Sequence, residues 1–117
     1  MIGLRNTSQL FALSWNGSEV EVTGPVVPAN SWTHVAVTYH LDRELRLYAN
    51  ESLSNASDPF SFAGSNGSNY LFVGSSLNAT DIPSRPYTVG QYWGAVDELR
   101  VYSRELTEHE INALANV

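Results

Sequence analysis

Apolar and polar residues alternate along most of this chain, and the period changes decisively only once, near the C-terminus. Residues 10–15 place Phe11, Leu13 and Trp15 on one face of an extended strand. Asn16-Gly17 follows, a strong hairpin signal, and residues 19–23 alternate again with Val20 and Val22 inward. Gly24-Pro25 is expected to end that strand, and 26–30 to form a loop. The clearest strand is 31–39, followed by a polar turn at 41–44 and a further strand at 44–50. Residues 52–69 read as a long polar connection, in which Phe60 and Phe62 flank Ser61 and predict one short strand. Residues 70–74 predict another strand, and 75–88, with Pro83 and Pro86, predict a loop.

Residues 95–102 alternate once more, setting Asp97 on the same inward side as Leu99 and Val101, with Glu98 on the other. Then the spacing lengthens. Leu106 precedes Thr107 and Glu110 in a T-x-x-E capping-box arrangement, and Ile111 and Leu114 give the helix that follows one apolar face. Leu106, Ile111 and Leu114 should cover one open end or face of the strands. Seven or eight short strands, long loops and one terminal helix turn predict an all-β chain, an antiparallel two-sheet sandwich.

The segment from Gly94 to Ile111 carries a recognisable pattern. Gly94, Val96, Asp97, Glu98, Leu99, Arg100, Val101, Tyr102, Arg104, Leu106, Thr107, Glu110 and Ile111 fit G-x-[IV]-D-E-[VL]-R-[IV]-Y-x-R-x-L-[ST]-x-x-E-[IL]. Residues 32–39 fit a second block, W-x-H-[VI]-A-x-[TV]-[YF]. Residues 44–50 match a strand block that usually closes on glycine, where this chain has Glu51. These blocks resemble the laminin-G-like, concanavalin A-like jelly rolls over residues 10–114. The resemblance implies a single jelly-roll domain at 1–117. Nothing before Leu10 matches the two or three strands with which that family usually begins, so an excised or N-terminally truncated module is expected. The first and last strands of such a jelly roll are neighbours, so 95–102 would be left with an open edge. An open edge is a template for pairing, and a homo-oligomer through the strand 95–102 is the resulting expectation. The alternative is that residues 1–8 fold back beside it, with Ile2 and Leu4 filling the gap.

Composition narrows the function. The chain has 117 residues, 43% of them apolar, no cysteine, six arginines, no lysine and twelve acids, for a net charge of −6. That balance disfavours nucleic acid and anionic membranes as partners, and suits a cell-surface protein or a salt-adapted source. No apolar run is long enough for membrane insertion. Six of ten asparagines open N-x-S/T sequons: Asn6, Asn16, Asn50, Asn55, Asn66 and Asn78. Ser and Thr make up 21 of the 117 residues, so chance would give about two. These six are the glycosylation candidates of an extracellular surface, though a Ser/Asn-rich set of loops generates sequons by itself.

Candidate chemistry is sparse. An inward Asp97 must accept hydrogen bonds or bind a cation, and the jelly-roll resemblance implies Ca2+ as the metal; the structural alternative is bonding to backbone amides or to a side chain such as His34 or a Trp indole. Tyr87, Tyr92, Trp93 and Trp15 offer aromatic faces to the C–H side of a sugar ring. Trp32 and His34 belong to a family core block and are expected to be packing and sheet residues. His34, His40 and His109 share no metal spacing. Glu19 and Glu21 lie too close on one strand face, and Asp97 and Glu98 on opposite faces, to act as a glycosidase pair. No enzyme activity is expected. The reading is a non-catalytic recognition or adhesion module of a secreted or cell-surface protein, with a glycan or protein ligand. Carbohydrate binding, assisted by Ca2+, is its implied activity. A structural spacer or assembly module is the competing one.

Overall fold

The computed structural model describes residues 2–5, 7–41, 43–62 and 94–116. Six strands and one helix occur among them: β1 (Ile2–Leu4), β2 (Gln9–Trp15), β3 (Glu19–Val26), β4 (Val35–Thr38), β5 (Arg46–Ala49), β6 (Ser52–Ala56) and α1 (Glu108–Ala115). They form two antiparallel three-stranded sheets, in the orders β1-β2-β3 and β4-β5-β6. By contact density the chain divides into one unit of Met1–Gly64 with Tyr102–Val117, and a second of Ser65–Val101. All seven elements belong to the first.

Alternation decides what each strand buries. In β5, Leu47 turns toward the β1-β2-β3 sheet with Leu45, and packs with Leu10, Ala12 and Val22. Tyr48 turns the other way and packs with Leu106 and Ile111 of the C-terminal segment. Both Leu47 and Tyr48 are fully buried, so β5 is the central strand of a sheet covered on both sides. The neighbouring β4 obeys the same rule: Val35 and Val37 face the sandwich core and Ala36 the helix. The expected covering role of Leu106, Ile111 and Leu114 is therefore met, with Leu114 partly buried against the Tyr48 cluster.

Two turns carry the hairpins, the first at the Asn16-Gly17 pair as the residues predict. Gly17 takes φ +103° at the tip between β2 and β3, a conformation open to glycine at little cost. Asn50, at φ +56°, turns β5 into β6, so the left-handed residue is the asparagine and Glu51 needs no glycine-like backbone. The β3 strand continues past its expected stop. A bulge sets Gly24 and Pro25 together against Leu10, and a bulge is where a strand can accept a proline that has no N–H to donate. Gly24 faces the second sheet so closely that a Cβ there would lie 2.9 Å from Leu47 Cδ2.

Several expected elements differ. β6 occupies the front of the expected 52–69 connection, pairing with β5 through a second bulge. Phe60 and Phe62 form no strand. Phe60 is buried and stacks on Tyr39 with ring centroids 4.7 Å apart. The Tyr39 hydroxyl donates to Phe60 O at 2.7 Å and accepts from Phe62 N–H at 2.9 Å, so a side chain replaces a ladder. The expected strand 95–102 is also absent: those residues join no ladder. Glu98 has φ +53°, which breaks the two-residue period, and Val96, Leu99 and Val101 are all more than half exposed. Ile2–Leu4 does form a strand, but against Leu10–Ala12, not against 95–102. The expected strand 70–74 lies outside the described residues.

Candidate functional site

The connection from β3 to β4 holds the most exposed indole among the described residues. Trp32 is 71% exposed, against the expectation that it packs in the core. Asn30 upstream takes φ +60°. Downstream the chain is pinned: Asn50 N–H donates to His34 O at 2.6 Å, and His34 N–H donates to Asn50 Oδ1 at 3.1 Å. Trp32 therefore projects from a short connection fixed just beyond it by this two-bond clamp. Trp15 ends β2 opposite Glu19, the first residue of β3, and is 40% exposed. The two indoles flank opposite ends of β3, so they do not form one platform.

The helix side of the β4-β5-β6 sheet carries the strongest local electrostatics. Thr107 caps α1 through a complete capping box. Glu110 Oε1 accepts Thr107 N–H at 3.0 Å and an Arg104 N–H at 2.9 Å, and its Oε2 accepts Arg104 at 2.5 Å. The guanidinium first, and the Thr107 amide after it, hold the Glu110 carboxyl down at about 2. Beside this pair lies an open depression of about 260 Å³, lined by Tyr102, Leu106, Ala113 and Leu114. Among the described residues, the buried atoms His34 Nδ1, Thr38 Oγ1 and Asn112 Oδ1 have no hydrogen-bond partner. The His34 ring leaves Nδ1 without a partner, while its backbone N–H and C=O bond to Asn50.

The five described arginines are all in ion pairs, with Glu21, Glu105, Glu44, Glu98 and Glu110. No free basic surface arises from them. Among the described residues no group of three or more His, Cys, Asp or Glu side chains is placed to hold a metal ion, and no helix is long and apolar enough to cross a membrane.

The model for the concanavalin A-like lectin/glucanase superfamily matches residues 1–112. The chain belongs to that superfamily. A crystal structure of an S-layer domain-containing protein from Clostridium thermocellum, residues 221–444, is similar to this lectin-like fold, with a TM-score of 0.62 and 28% identity. The similarity covers 92% of this chain and 51% of that one, so the chain spans about half the length of the crystallised protein. No curated protein matches it.

Within this lectin-like frame the expected site residues separate. Asp97 is exposed, as are Leu99 and Val101, so the inward face expected for it does not form. Its Oδ1 accepts Glu98 N–H at 2.9 Å, and the Glu98 carboxylate binds Arg100 at 2.9 Å. Glu19 and Glu21 do share one β3 face, and Glu21 is tied to Arg5. Tyr87, Tyr92, Trp93, Asn6, Asn66 and Asn78 lie outside the described residues. Trp32 was hidden from sequence reasoning by its place in a family block. The signal that could have found it is local: Pro28, Asn30 and Ser31 precede it, and such a run marks a loop rather than a strand interior.

Proposed function

We propose that this chain is a non-catalytic recognition module of an extracellular or cell-surface protein, and that its ligand is a carbohydrate. The observation that carries the reading is Trp32. An indole left 71% exposed on an anchored connection, in a lectin/glucanase-type sandwich, presents a flat apolar surface held in place for a ligand to cover. Its face offers apolar contact to the C–H surface of a pyranose at little conformational cost. Trp15 is a second, separate aromatic contact, and Tyr87, Tyr92 and Trp93 remain candidates for the same chemistry. The net charge of −6 fits a neutral or cationic sugar better than a sulfated one. A glycan array, run with and without added Ca2+, tests the proposal. Signal that Trp32→Ala removes without lowering the melting temperature supports it. A silent array from a folded protein overturns it.

The S-layer domain-containing neighbour favours one further reading, assembly into a surface layer. In that case exposed apolar residues such as Trp32 and Leu53 meet protein instead of sugar. Light scattering separates the two, since an assembly module gains mass with concentration and a lectin-like monomer does not.

A further inference from the structure

Three sequons lie within the described residues, and hydrogen bonding sorts them. At Asn55-Ala56-Ser57 the carboxamide is committed: Nδ2 donates to Thr23 O at 3.0 Å and Oδ1 accepts Ala56 N–H at 2.9 Å. Its serine is committed too, accepting Leu45 N–H at 3.0 Å and donating to Asp58 O at 2.8 Å. At Asn50-Glu51-Ser52 the carboxamide oxygen accepts His34 N–H, and the asparagine's backbone N–H is tied to His34 O. Ser52 meanwhile starts β6, opposite Ala49. Substitution at Asn55 Nδ2 would break its bond to Thr23 O, and the Asn50 sequon is held in place by its backbone, through Asn50 N–H to His34 O and the pairing of Ser52 with Ala49.

Asn16-Gly17-Ser18 differs. It forms the exposed tip of the β2–β3 hairpin, and Gly17 has nothing within 4 Å of where a Cβ would lie. The Ser18 N–H and Ser18 Oγ both reach Asn16 Oδ1, at 3.1 and 3.0 Å. Two donors on the carboxamide oxygen hold the side chain turned back on its own sequon, and leave Nδ2 facing solvent with no hydrogen bond among the described residues. We propose that Asn16 is an N-glycosylation site of this protein, occupied in preference to Asn50 and Asn55.

The donor is a saccharide carried on a polyprenyl diphosphate or phosphate, delivered by a transferase. Asn16 Nδ2 forms a bond to the anomeric carbon, the bond from that carbon to the phosphate oxygen breaks, and the lipid phosphate leaves with the electron pair. The Nδ2 proton passes to a base of the transferase. Gly17 and the open space around it leave room for the chain to seat in such an enzyme, and the finished glycan projects from the hairpin tip without touching the core. The inference rests on the surface placement proposed above.

The test is the full chain, exported from a host that N-glycosylates secreted proteins, followed by intact-mass and glycopeptide measurement. Occupancy at Asn16 is expected, and Asn16→Gln and Ser18→Ala should each remove one glycan mass. Ser18→Thr, which keeps the hydroxyl, should retain it, and Asn55→Gln should leave the mass unchanged. Unmodified Asn16 in the exported protein overturns the inference, as does glycan mass that survives Asn16→Gln while disappearing with Asn50→Gln or Asn55→Gln. A glycan array on the same preparations keeps the outcomes apart: an unglycosylated chain that still binds sugar defeats the modification site alone.

Discussion

Replacing Ile111 by alanine removes the side chain through which the C-terminal helix grips the sheet. Ile111 is 2% exposed, and its buried neighbours are Tyr48, which is fully buried, and Leu106. Tyr48 cannot shift to fill the space, because β5 is packed on its other side through Leu47 against the opposite sheet. The helix is less constrained. It has eight residues and can settle inward by part of the gap. Large-to-small changes in cores cost about 2–5 kcal/mol, the lower end where the site collapses, so the expected loss is roughly 2–3 kcal/mol. Urea unfolding followed by far-ultraviolet circular dichroism measures it. With a denaturant slope of about 1–3 kcal/mol/M, the midpoint should fall by on the order of 1–2 M. Ala113→Ser, on the exposed side of the helix, is the control and should move the midpoint little. An Ile111→Ala midpoint within about 0.3 M of wild type would refute the helix as a structural cover.

Three further outcomes follow from the same coordinates. Gly24→Ala should cost about 1–3 kcal/mol by overpacking, since the new Cβ would sit 2.9 Å from the buried Leu47 side chain; a variant as stable as wild type would contradict that contact. Glu110 ionises at about 2 when folded, against an ordinary 4.5, so the folded state binds fewer protons in that interval. Its contribution is complete above pH 4.5 and is lost as pH falls toward 2. Urea midpoints should therefore fall less steeply between those values in Glu110→Gln than in wild type, and equal slopes would exclude the Arg104 pairing as their cause. Asp97→Ala and Glu98→Ala, both at exposed positions, should each change the melting free energy by less than about 0.5 kcal/mol, and a large loss confined to Asp97→Ala would restore the buried-carboxylate reading.

What the residues disclosed, and what they concealed, follows from the range of the forces involved. The capping box at Thr107 and Glu110 was legible because it is local: its bonds span three residues. The Asn16-Gly17 turn was legible for the same reason, a short signal read over a few positions, whereas the two-sided burial of residues 45–48 emerged only from the packing. The strand at 95–102 misled because alternation is necessary for a half-buried strand but not sufficient. Glu98 adopts a left-handed φ that no pattern of apolar residues announces. The continuation of β3 through Pro25 depended on a bulge, which is set by the register with β2. Trp32 was assigned to the core by its place in the W-x-H family block, yet it lies three residues before the ladder starts. Of the candidate site, then, Trp15 was named from sequence, while Trp32 emerged only from exposure.

Trp32 is the residue on which the carbohydrate reading stands, and its indole N–H can be watched directly. The chain has three tryptophans, so a proton–nitrogen correlation spectrum of the folded protein contains three indole resonances, assignable with Trp15→Phe and Trp32→Phe. The decisive measurement is a titration with the saccharide that gives the strongest array signal. A shift of the Trp32 indole resonance that saturates, with the same affinity as the array-selected ligand shows in calorimetry, is the predicted result. Saturating binding that leaves the Trp32 resonance unmoved would contradict it.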